Sequence, residues 1–150
     1  MQQRDQQSAL SEVHCLNLSA AELGQQLAKQ LIAITKVRID DIDQTIVGCV
    51  LQAGIGLNIA RQISVGTGVP VAALAFTVNE VCGSGLKALK LAANDIWLGN
   101  SHVVLVGGVQ SMSRAPFLVN RTAMNSANPD GPPIDHIQQD GLVDPFSTAP

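Results

Sequence analysis

The stretch that most restricts the fold of this chain is residues 74–88. Five β-leaning residues, Leu74-Ala75-Phe76-Thr77-Val78, run into Asn79-Glu80-Val81-Cys82-Gly83-Ser84-Gly85. An apolar helical pattern follows, with Leu86, Leu89, Ala93, Ile96 and Trp97 on one expected face and Gly99 just past its end. His102-Val103-Val104-Leu105-Val106 then reads as another strand, which closes a β–α–β unit. Such a crossover calls for a parallel sheet covered by helices, an α/β class. Cys82 falls at the expected helix start, where unsatisfied N–H groups and the macrodipole stabilise negative charge. A thiol so placed can have its pKa lowered from about 8.5 to about 7 or below. Two readings stand at this point: a nucleophile on a tight elbow, or a small buried hydrophobe at a turn.

The remaining pattern suits the same class. Ser19-Ala20-Ala21-Glu22 fits a capping box. Behind it Leu23, Leu27, Leu31 and Ile34 predict an amphipathic helix of about four turns. Asp40, Asp41 and Asp43 read as a solvated turn rather than a cation loop, since further ligands are lacking. Residues 45–51 predict a buried strand holding Cys49 as a packing residue, and residues 52–58 a glycine loop. Asn58 is the expected cap of a short helix to about Gly66, with Gly68 and Pro70 ending it. Residues 1–18 read as a poorly ordered leader, 19–118 as the α/β domain and 119–150 as the beginning of a loop region. Regularity fades after Pro116.

Composition narrows the function classes. The 150 residues are 46% apolar and only 14% charged, too apolar for disorder. A net charge of −3 without a basic cluster argues against a nucleic-acid partner. No apolar run approaches the roughly 18 residues of a membrane span, and no signal peptide is recognisable, so a cytoplasmic protein without a membrane partner is expected. Cys15, Cys49 and Cys82 form no disulfide framework. His14, His102 and His136 lack ligand spacing, so no metal site is expected. Gly54-Ile55-Gly56 lacks the third glycine of a dinucleotide loop and the lysine of a P-loop.

Four ordered segments resemble the N-terminal part of the thiolase family, the acetyl-CoA acetyltransferases and 3-ketoacyl-CoA thiolases. Val81-Cys82-Gly83-Ser84-Gly85-Leu86-Lys87-Ala88 is similar to the family's nucleophile motif. Gly107-Gly108-Val109-Gln110-Ser111-Met112-Ser113 with Ala115-Pro116 resembles G-G-M-E-S-M-S-x-A-P. Val50-Leu51-Gln52-Ala53-Gly54-Ile55-Gly56-Leu57-Asn58-Ile59-Ala60-Arg61-Gln62 resembles L-Q-A-G-x-G-Q-N-P-A-R-Q, and Asp140-Gly141-Leu142-Val143-Asp144 resembles D-G-L-x-D.

The resemblance implies a thiolase-like mixed β-sheet with flanking helices, here an incomplete N-terminal half. It implies an acyltransferase that forms or cleaves a 3-ketoacyl-CoA, such as acetoacetyl-CoA, through an acyl thioester on Cys82. The Cys82 N–H is then an oxyanion-hole donor. Coenzyme A thioesters are the implied substrates, with no covalently bound cofactor, and the implied partner is a second copy or a complementary C-terminal half. The chain departs from the family pattern at Gln110 for Glu, Leu57 for Gln and Ile59 for Pro. The family's first core strand with its R-T-P turn is not visible before Ser19. The G-H-P histidine, the C-x-G-G-G cysteine and the N-E-A-F asparagine are missing from these residues, so this chain alone is expected not to turn over. The alternative is a non-catalytic remnant that associates with a separate C-terminal half.

Overall fold

In a computed structural model the described residues are 17–119 and 132–147. The leader expected at 1–18 falls almost wholly outside them.

Ser19 caps helix α1 (Ala20–Thr35) as a complete capping box: its hydroxyl accepts from the Glu22 N–H, and the Glu22 carboxylate accepts from the Ser19 N–H. A short 3₁₀ turn at Ile39–Asp41 leads into strand β1 (Gln44–Gly48). Helix α2 (Ile59–Thr67) is capped by Asn58, whose side chain accepts from the Arg61 N–H, and closes at Gly68 with a left-handed φ of 104°. Strand β2 (Leu74–Val78) and helix α3 (Ser84–Trp97) then deliver the chain to β3 (Val104–Gly108).

The three strands form a parallel sheet in the order β2-β1-β3. All five residues of β1 are buried, as befits a central strand covered on both faces. Alternation divides the core. Val47 packs with α1 and α2 through Ala28, Ile59, Ala60 and Ile63. Ile46 packs on the opposite face against Ala88 and Ala92 of α3, beside Val78, Val104 and Val106. The result is a three-layer α/β unit. Among the described residues, antiparallel pairing is confined to a separate two-residue ribbon, β4 (Phe117–Leu118) with β5 (Ile134–Asp135).

Two expectations about helix faces are corrected. In α1 the small residues Ala20 and Ala28 are buried, whereas Leu27, Leu31 and Ile34 are exposed. In α3 the buried residues are Ser84, Ala88 and Ala92, while Leu86 (76% exposed), Leu89, Ile96 and Trp97 (81%) face outward. The cause is close approach: a Cβ on Gly24 would lie 2.3 Å from the Ile63 side chain, so α1 reaches α2 along its small-residue side. In α1 the exposed leucines adjoin the buried alanines on one stripe, Gly24, Leu27, Ala28 and Leu31 lining a single hollow beside Val47 and Leu105, whereas in α3 the buried and exposed residues lie on different sides.

The strands are tied at their amino ends by Asp43, whose carboxylate accepts from the His102 and Val103 N–H groups (2.6 and 3.1 Å). These bonds hold the Asp43 carboxyl below its ordinary pKa. No helix among the described residues is long and apolar enough to cross a membrane.

Candidate active site

The carboxyl ends of parallel strands are where ligand crevices open in α/β sheets. Here Gly48, Val78 and Gly108 end their strands side by side. A cleft of about 470 Å³ opens at that edge, with walls from the β1 exit, the 81–85 elbow, the turn after β3 and the 137–142 segment.

Cys82 is exposed and lines this cleft. The helix expected to begin at Cys82 begins two residues later, with Gly83 as its cap. Cys82 therefore stands on the turn itself. That turn is strained: Val81 has φ 48°, a left-handed conformation that a β-branched residue rarely adopts. Ser84, which is buried, clamps it. Its hydroxyl donates to the Val81 carbonyl (2.6 Å) and accepts from the Glu80 N–H (2.9 Å). The Asn79 carboxamide oxygen accepts from the Val81 N–H (3.0 Å). The N–H groups of Gly83 and Ser84 donate within the turn to Glu80 and Val81 carbonyls. Lys87 pairs with Glu80 at 3.1 Å on the exposed side, a contact of small energetic weight.

Glycine lets the helix sit this close to the strand ends. A Cβ on Gly48 would come within 2.4 Å of the Ser84 backbone, and one on Gly108 within 3.3 Å of the Gly85 Cα. Gln110 holds the β3 turn against the β1 exit, its side-chain oxygen accepting from the Val50 N–H (3.1 Å).

Cys49 also lines the cleft, one residue beyond β1 rather than within it. It is buried, and burial pushes its thiol above the ordinary pKa. That favours an inert packing thiol. Of the two thiols in this cleft, only Cys82 is exposed.

The structure brings no histidine to Cys82 among the described residues. His102 precedes β3 at the amino edge of the sheet, with its Nδ1 3.6 Å from the Asp43 carboxylate. His136 is buried behind the cleft wall, where its Nε2 accepts from the Ala53 N–H. His14 lies outside the described residues.

Within the region expected to be loop-like, the described residues 132–147 hold a short strand and a π-helical turn: after β5 the chain enters Gln138–Leu142, which places Ile137, Gly141 and Leu142 on the cleft. Sequence reasoning assigned no role to Ser84 or His136. Ser84 sits inside the nucleophile motif and carried that much signal; His136 carried none.

The sequence model of the thiolase N-terminal domain matches residues 7–150. This chain belongs to the thiolase family. Among curated thiolase relatives, an acetyl-CoA acetyltransferase of Syntrophomonas wolfei is 39% identical over 133 residues, 87% of this chain and 34% of its own length. A probable acetyl-CoA acetyltransferase of Escherichia coli is 42% identical over 129 residues, 86% of this chain and 33% of its own. Among solved structures, the Acat5 thiolase of Ascaris suum in complex with coenzyme A superposes with a TM-score of 0.83 at 39% identity, covering 90% of this chain and 35% of that one. The Bacillus anthracis acetyl-CoA acetyltransferase gives 0.81 at 28% identity, over 89% of this chain and 34% of that one. This thiolase chain thus spans about a third of the length of the relatives it matches.

Proposed function

We propose that this chain carries the acyl-accepting half of a thiolase site, with Cys82 as the nucleophile and coenzyme A thioesters as substrates. The observation that carries the proposal is the exposed Cys82 thiol, held on a strained elbow at the mouth of the cleft. In the step proposed, the Cys82 thiolate attacks the thioester carbonyl of acetyl-CoA. The C–S bond to coenzyme A breaks, the acetyl group remains as a thioester on Cys82, and coenzyme A leaves as a thiolate that takes a proton from water. One thioester replaces another, so little free energy changes. The Cys82 N–H serves as a donor to the developing oxyanion, an interaction of about 3–4 kcal/mol in such sites.

Removal of the C2 proton of a second acetyl-CoA needs a base, and among the described residues no histidine lines the cleft with Cys82. The expected behaviour is a single acyl transfer without turnover. Mixing the chain with acetyl-CoA should release coenzyme A up to one equivalent and then stop. Cys82→Ser should release none, and acetoacetyl-CoA thiolysis should stay at background. Sustained thiolysis by the purified chain would overturn the single-transfer account.

A second reading is favoured by the outward apolar faces of α1 (Leu27, Leu31, Ile34) and α3 (Leu86, Leu89, Trp97). Apolar faces of this extent mark surfaces meant to be covered. In this reading the chain associates with a separate polypeptide equivalent to the relatives' C-terminal remainder. Sedimentation of the chain with and without that polypeptide tests it, and a lone, soluble monomer indifferent to the addition counts against it.

A further inference from the structure

The buried imidazole of His136 is used by no step above. We propose that His136 is the positioning residue for the apolar cleft wall made by Ile137 and Leu142, and so helps set which acyl chains the site admits. The proposal rests on the reading of this cleft as an acyl-thioester site.

His136 is only 2% exposed and lies at the junction of β5 with the π-helical turn. Its Nε2 accepts from the Ala53 N–H at 3.3 Å, across 83 positions of sequence. A ring nitrogen that accepts carries no proton, so the neutral imidazole holds its proton on Nδ1. Nδ1 in turn lies 2.8 Å from the Asp140 carboxylate but off the line of its N–H, so the contact is electrostatic rather than an aligned hydrogen bond. The half-exposed Asp140 carboxylate therefore favours the tautomer that the Ala53 bond requires. One side chain thus fastens the π-helical turn to the loop that leaves β1.

The fastened residues are apolar. Ile137 and Leu142 face the same cleft as Leu51, Val109, Met112 and Cys82. Such a lining suits the hydrocarbon of an acyl group rather than the polar parts of coenzyme A. Two-residue pairing at β4–β5 is otherwise a weak anchor. π-helical turns are frequent at functional sites.

The test compares the full chain with His136→Ala and His136→Gln, whose amide oxygen can accept from Ala53. Cys82 is modified with N-ethylmaleimide and with N-octylmaleimide, and peptide mass spectrometry follows each cysteine separately. In His136→Ala the octyl-to-ethyl rate ratio should fall about fivefold, equivalent to ~1 kcal/mol, near the net worth of one hydrogen bond. The ethyl rate should stay within about twofold, and Ala53 amide exchange should accelerate. His136→Gln should restore both ratio and protection. If His136→Ala does not fold, His136→Asn, too short to span to Ala53, takes its place. An unchanged ratio, or a ratio that His136→Gln fails to restore, overturns the inference. If Cys82 in the parent chain reacts no faster than Cys49 with either reagent, the acyl-acceptor reading itself fails, a distinguishable result.

Discussion

Gly48→Ala is the sharpest mechanical test of the elbow. The added Cβ would sit 2.4 Å from the Ser84 carbonyl carbon, 2.6 Å from its oxygen and 2.7 Å from the Gly85 nitrogen. Ordinary contact begins near 3.4 Å, so the first turn of α3 has to retreat by about 1 Å. All three atoms belong to backbone, so no rotamer change relieves the clash. Overpacking of this kind costs typically 1–3 kcal/mol. Replacing glycine by alanine in a strand returns roughly 0.5–1 kcal/mol of backbone entropy, leaving a net loss of about 0.5–2 kcal/mol. With a urea m-value of about 2 kcal/mol/M, the unfolding midpoint should drop by roughly 0.25–1 M. Because Ser84 is the residue displaced, the elbow moves with it, and Cys82 alkylation should slow as well. Gly107→Ala is the control: its Cβ meets nothing within 4 Å. If Gly48→Ala and Gly107→Ala share one midpoint and one alkylation rate, the close packing of α3 on the strand ends is not what holds the elbow.

Three further outcomes follow from the same geometry. Ser84→Ala removes both clamp bonds at a buried site and should lower stability by about 1–3 kcal/mol, read by urea unfolding. Val81→Gly relieves a left-handed conformation that costs about 1–2 kcal/mol in L-residues; it should leave stability equal or higher while Cys82 alkylation falls as the elbow loosens. Asp43 has a lowered folded pKa, so its contribution is complete above the ordinary carboxylate value of 3.8 and is lost as pH falls through the lower folded value. Melting temperature should therefore fall more steeply below about pH 4 in the parent than in Asp43→Asn, whose side chain cannot titrate. Equal slopes would mean the His102 and Val103 bonds do not stabilise the carboxylate.

What the sequence made legible was local chemistry. The Ser19–Glu22 box, the Asn58 cap and the β2 strand need only neighbours within a few residues, and all three stand where their side chains predict. Cys82 drew notice because a cysteine between a strand and two glycines is an unusual run of residue types, and the structure puts it, exposed, on the cleft. The packed face of each helix was not legible. Leucines at helical spacing mark an apolar face without saying what covers it, and here alanines and Gly24 set the closer approach. The start of α3 slipped by two residues because the left-handed Val81 turn depends on the Ser84 hydroxyl, not on propensity. His136 was invisible because its partner is a backbone N–H 83 positions away. Two-residue strands such as β4 and β5 have no period to detect.

Whether Cys82 alone accepts the acyl group is decided by treating the chain with acetyl-CoA, digesting it at mildly acidic pH and locating the acetyl group by peptide mass spectrometry. One acetyl group is expected on the peptide carrying Cys82, none on that carrying the buried Cys49, and none anywhere in Cys82→Ser. Acetyl found on Cys49 or Cys15, or on no cysteine at all, would contradict that expectation.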